Sequence, residues 1–147
     1  MKKITPLLFA AALLTACDIV QPIGDISCNA MYSPDQVHID FDAFEFEEGD
    51  YSIVFTSDET VICDVSLPAD ADEYIDCDGE PEVMVTLSND GSRIDEMALW
   101  EYAPDAFEVE ILLDGELVDE ARFEPAYEVD EPNGEGCGER SYAAVSF

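Results

Sequence analysis

Acid–base chemistry near neutral pH calls for a histidine, or for a carboxylate retuned by burial. The chain offers one histidine, His38, and 36 Asp and Glu residues. His38 falls within Val37-His38-Ile39-Asp40-Phe41-Asp42, where apolar and polar residues alternate. That period of two places it on the wet face of a strand, among acids, rather than beside a nucleophile. A pair of carboxylates at a glycosidase-like separation can always be found among so many acids, so that pattern identifies nothing. No G-x-S-x-G elbow, G-x-G-x-x-G turn or Walker A loop is present. The residues therefore point away from an enzyme, with a hydrolase kept as an alternative.

Metal binding gets a sharper test. Calcium takes oxygen ligands, and the densest acidic stretch runs from Asp70 to Glu82. An EF-hand loop needs glycine at its sixth position and glutamate at its twelfth. Setting Gly79 sixth puts Tyr74 first and Val85 twelfth, so the motif fails. A different loop site built from Asp70, Asp72, Asp76 and Asp78 is the remaining calcium candidate, set against a plain solvated acidic loop. No other cofactor is indicated.

The N-terminus reads as an address. Met1-Lys2-Lys3 precedes an apolar run from Ile4 to Leu14, broken by Thr5 and Pro6. This is the charged n-region and short h-region of a secretory signal. The run is far shorter than the roughly 20 residues that cross a bilayer. It ends Leu14-Thr15-Ala16-Cys17, which resembles the lipobox of bacterial lipoproteins. The resemblance covers residues 1–17. It implies diacylglyceryl transfer to the Cys17 thiol, cleavage before Cys17, and acylation (palmitate or similar) of the new amine. One acyl chain holds a protein only marginally, at about 0.8 kcal/mol per buried CH₂, whereas several anchor it stably. The implied location is the bacterial cell envelope, on the periplasmic face or the outer surface. In lipoproteins of enteric bacteria an aspartate at the second mature position, here Asp18, favours the inner membrane; the choice of membrane stays open. Residues Pro132 to Gly138 also resemble the C-terminal end of some envelope lipoproteins, a likeness that assigns no activity.

With Cys17 lipidated, Cys28, Cys63, Cys77 and Cys137 remain. Four thiols in an exported chain indicate two disulfides. Cys63 and Cys77 lie on consecutive expected strands across an acidic loop and make the favoured pair. That leaves Cys28 with Cys137, tying the start of the body to the turn before the last strand. The alternative is an inter-sheet bridge through Cys63. The spacings lack the C-x₂₋₄-C pairs of a zinc site.

Charge narrows the partners. The net charge is −31 at pH 7. Cleavage would remove Lys2 and Lys3 and no acid, leaving −33 and only Arg93, Arg122 and Arg140 as fixed cations. Nucleic acid and anionic lipid headgroups would be repelled. A hydrophobic fraction of 48% is ordinary, so the acidity does not imply disorder. Three readings of the charge follow: solubility, a surface adapted to high salt, or cation binding.

The elements that must position these residues are strands. Val37 to Phe41 alternates, the phase flips at Ala43, and Phe44 and Phe46 continue it, which predicts a bulge or bend. Tyr51–Phe55, Val61–Leu67, a short strand at Tyr74–Cys77 and Val83–Leu87 follow, separated by turns. Ile94 to Tyr102 is less regular, and Met97 with Trp100 fits one helical turn. Phe107–Leu113, Asp114-Gly115 and Leu117–Phe123 form the clearest hairpin. A long turn over 130–136 precedes a last strand from Arg140. Seven to nine short strands predict an all-β antiparallel β-sandwich, with an immunoglobulin-like Greek key as topology and a small antiparallel barrel as the alternative. The expected organisation is a signal peptide at 1–16, a lipidated tether at 17–27 reaching about 35 Å beyond the anchor, and one domain at 28–147. The aromatics are expected in the core, Trp100 and Tyr102 included, although exposure would let that pair line a groove. The functional expectation is a membrane-anchored, non-catalytic binding or assembly module that offers loops and sheet edges to a basic envelope protein. A calcium- or salt-dependent acidic surface domain is the alternative.

Overall fold

In Thr60-Val61-Ile62-Cys63-Asp64-Val65-Ser66-Leu67 every second side chain is buried and every other one exposed. That alternation recurs along the chain and fixes which face of each strand points inward. The computed structural model describes residues 32–70 and 73–147. Among them are the strands β1 (Gln36–Asp40), β2 (Gly49–Thr56), β3 (Thr60–Leu67), β4 (Cys77–Gly79) and β5 (Val83–Leu87). They continue with β6 (Ile94–Trp100), β7 (Phe107–Leu113), β8 (Glu116–Phe123), β9 (Glu128–Asp130) and β10 (Arg140–Ser146), and no helix is found among the described residues.

The strands form two five-stranded sheets, ordered β5-β6-β1-β10-β9 and β4-β3-β2-β7-β8. The expected all-β sandwich is the architecture, and neither sheet closes into a barrel. In the second sheet β2, β3 and β4 pair in succession, and β7 returns to lie beside β2, giving the spatial order of a Greek key. Between β4 and β7 the chain crosses to the other sheet to form β5 and β6. β1 and β2, which share a sheet in the constant-type immunoglobulin order, lie here in opposite sheets. β1 also runs parallel to β10, an exception to the otherwise antiparallel pairing.

The core lies between the sheets. Phe41, Phe55, Phe107, Ile39, Ile53 and Ile111 are fully buried there, each contributing about 1.5–3 kcal/mol by leaving water. At one end Phe41, Phe44, Phe46, Tyr51 and Phe147 pack as an aromatic plug.

Three local expectations need correction. Phe44 and Phe46 do not continue a strand. The chain turns after β1, with the Phe44 N–H donating to the Phe41 carbonyl at 2.9 Å, and both rings fold back on the core. The short strand expected at Tyr74–Cys77 starts later, at Cys77. Ile94 to Trp100 is a strand without a helical turn. β6 is paired on both edges, by β1 and β5, and Met97, Ala98 and Leu99 are all fully buried. Burial on both faces erases the period of two that would have marked it. β9 has three exposed residues and so carried no pattern to read.

Candidate functional site

The site begins at a disulfide. Cys63 and Cys77 are bonded, as expected, and pair directly across β3 and β4. A three-residue strand has little sheet to hold it, and the bond pins it in place. At the far end of β4, Gly79 lies opposite Val61 with φ of 116°. A Cβ there would come within 2.2 Å of the Thr60 carbonyl oxygen. Only glycine permits so close an approach, and it brings the following residues, Glu80-Pro81-Glu82, over the β2–β3 turn that carries Glu59.

The opposite wall comes from the end of β6. The Trp100 N–H donates to the Glu82 carbonyl at 3.0 Å, and the Glu101 N–H donates to the Asp35 carbonyl at 2.9 Å. Glu101 has φ of 58°, in the left-handed region that a side chain rarely adopts. Strain of this kind costs about 1–3 kcal/mol and is held only where surroundings enforce it. The turn swings Tyr102 inward, where its hydroxyl meets the Ser57 hydroxyl and its ring packs edge-on against Phe55.

Together these segments border an open cleft of about 290 Å³ lined by Glu59, Glu80, Pro81, Glu82, Trp100, Glu101 and Tyr102. It holds four carboxylates, two aromatic side chains and no lysine, arginine or histidine. Two of the arginines are engaged elsewhere by the chain's own acids. Arg93 pairs with Asp42 and Asp95, and Arg140 makes a two-point contact with Asp130. A second hollow of about 360 Å³ on the outer face of the β2–β3 pair includes Asp50, Ser52, Asp64 and Ser66. There the Ser52 and Ser66 hydroxyls already donate to Asp64 and Asp50, so its acceptors are partly used.

Trp100 and Tyr102 are thus half-buried rather than fully in the core, and they line a cleft. His38 is also half-buried rather than openly solvent-facing. Its Nδ1 lies 3.0 Å from Glu96, its Nε2 lies 3.1 Å from Gln36, and its ring leans on Tyr142. Both ring nitrogens are engaged, away from the cleft. Of the calcium candidates, Asp72 lies outside the described residues. Among the described residues no three His, Cys, Asp or Glu side chains are placed to hold a metal. Cys137 is held in a disulfide. Cys17, Cys28, the signal segment and the tether lie outside the described residues.

The four glutamates of the cleft were not singled out from the sequence. They come from three separate turns; Trp100 with Tyr102 was the cue to a groove, and Glu80 and Glu82 fell only within the acidic stretch read for calcium. Chemically, the arrangement accepts hydrogen bonds and positive charge. No known family matches the chain, and neither a curated protein nor a solved structure matches it.

Proposed function

We propose that this protein is a lipid-anchored, non-catalytic binding module of a bacterial cell envelope, and that its anionic body captures a basic envelope component. The observation that carries the reading is the cleft, which gathers acceptors and aromatic faces without a histidine, serine or cysteine among its lining residues. The lipobox-like Leu14-Thr15-Ala16-Cys17 supports the anchor, and the net charge of −31 supports a basic partner. Charge complementarity of this kind speeds encounter and selects partners more than it adds affinity.

Intact-mass analysis of the protein from a membrane fraction tests the anchor. The expected result is loss of residues 1–16 and added acyl mass at Cys17. A soluble protein with unmodified Cys17 would sink that half of the reading. Hydrolytic turnover by the purified protein that vanishes on a single carboxylate substitution would sink the other.

A further inference from the structure

Acids alone distinguish nothing in a chain that carries 36 of them. What sets the Glu59–Glu101 cleft apart is concavity joined to the chain's one tryptophan. Resting on the reading of this protein as a module for a basic partner, we propose that this cleft is the seat of a single guanidinium group, an arginine side chain presented by a basic peptide segment.

Three features of the cleft argue for that occupant. Four glutamates border one hollow with no cation among its lining residues; an entering positive charge relieves their mutual repulsion and gains charge-assisted hydrogen bonds. Trp100 and Tyr102 line the cleft, and cations rest favourably on aromatic faces, tryptophan best of all. A guanidinium is planar and forked. It can stack on a ring while its edge donates to carboxylates, which a compact ammonium does less well.

Size points the same way. About 290 Å³ falls just below the usual range of small-molecule sites, about 300 to 1,000 Å³, and suits one long side chain. A sugar also stacks on tryptophan, but it presents acceptors as well as donors. The glutamates answer only its donors. The frame is set in advance by the Trp100–Glu82 and Glu101–Asp35 backbone hydrogen bonds and by the Tyr102–Ser57 contact, so little ordering cost is left for binding.

Because Trp100 is the only tryptophan, its fluorescence reports on the cleft. The experiment titrates the full-length protein with blocked triarginine, with the neutral isostere tricitrulline, and with maltotriose, at low and at physiological ionic strength. Triarginine is expected to give a saturable change in Trp100 emission, and tricitrulline and maltotriose none. The double variant Glu80→Gln/Glu101→Gln should weaken triarginine by about tenfold or more. The variant Glu116→Gln/Glu120→Gln, which removes the same charge from the far edge of the sheet, should change it by less than about twofold. Equal weakening by both variants would mean diffuse attraction, overturning the cleft as the seat while leaving the basic-partner reading standing. A Trp100 signal silent to triarginine at both ionic strengths would overturn the cleft as the seat, and calorimetry showing no triarginine binding at all would overturn the basic-partner reading as well. A response to maltotriose without one to triarginine would make the cleft a carbohydrate site and overturn the inference.

Discussion

Cys63 on β3 and Cys77 on β4 stand directly opposite each other in the ladder, with their Cα atoms 4.3 Å apart. The bond closes a loop of 14 residues in sequence separation. In the chain-entropy account a loop of that length is worth about 3 kcal/mol. The double variant Cys63→Ala/Cys77→Ala should lose about that much. For a domain of this size the loss lowers the melting temperature by roughly 10 °C. Thermal melts of the two proteins in the same buffer check it. A variant melting within about 2 °C of the parent would remove the disulfide as a main support of β4.

Gly79 offers a second test of the same edge. Its φ is 116°, and a Cβ at this position would stand 2.2 Å from the Thr60 carbonyl oxygen, which leaves no room for a side chain. Gly79→Ala should destabilise the fold by about 2 kcal/mol or more, since alanine at a positive φ costs strain beyond any entropy it saves. The loss should be local first. Hydrogen exchange of amides in β4 should quicken before that of β2 and β7, and a uniform increase across the sheet would contradict the idea that β4 is separately held.

The strands that were legible in the sequence are those with one wet face. Tyr51, Ile53 and Phe55 in β2, and Val61, Cys63, Val65 and Leu67 in β3, are buried on their alternate positions, and the pattern could be read directly. Asp114-Gly115 marked its hairpin because both residues adopt positive φ, which that dipeptide tolerates. β6 was obscured because its neighbours bury both of its faces, and β9 because none of its residues is buried. The pairing of Cys63 with Cys77 was legible because both lie on adjacent strands of one sheet. The cleft was not. Glu59, Glu80 and Glu101 meet only because β4 lies beside β3 while β6 belongs to the opposite sheet, a relationship between sheets that no local spacing encodes.

Tyr127 should make stability fall at high pH. Its hydroxyl donates to the Pro104 carbonyl at 2.8 Å. Burial, followed by the charges of Asp105 and Asp35, pushes its pKa up to about 12 from the usual 10.0. The folded state therefore favours the protonated phenol. The stability this adds is fully present below pH 10 and is lost as the pH rises through about 12. Tyr127→Phe should remove that part of the alkaline limb, at a cost of about 1 kcal/mol near neutral pH for the lost hydrogen bond. Urea unfolding at intervals from pH 7 upward compares the two; parallel curves for parent and variant would rule the phenol out as the cause.

The final prediction concerns the whole surface. With a net charge of −31, carboxylates repel one another across the sandwich, and bringing them together destabilises the folded state. Raising ionic strength shortens the screening length from about 10 Å at 0.1 M to about 3 Å at 1 M. Sodium chloride should therefore raise the melting temperature. Calcium chloride at matched ionic strength separates screening from a site. Equal rises for the two salts mean screening alone. A larger rise with calcium that Asp72→Ala/Asp76→Ala abolishes would place a calcium site in the acidic loop. Screening acts through ionic strength alone, so it predicts equal rises. A melting temperature flat in both salts would show that the charges stand too far apart, or too well solvated, to burden the fold, and would remove the salt and calcium readings together.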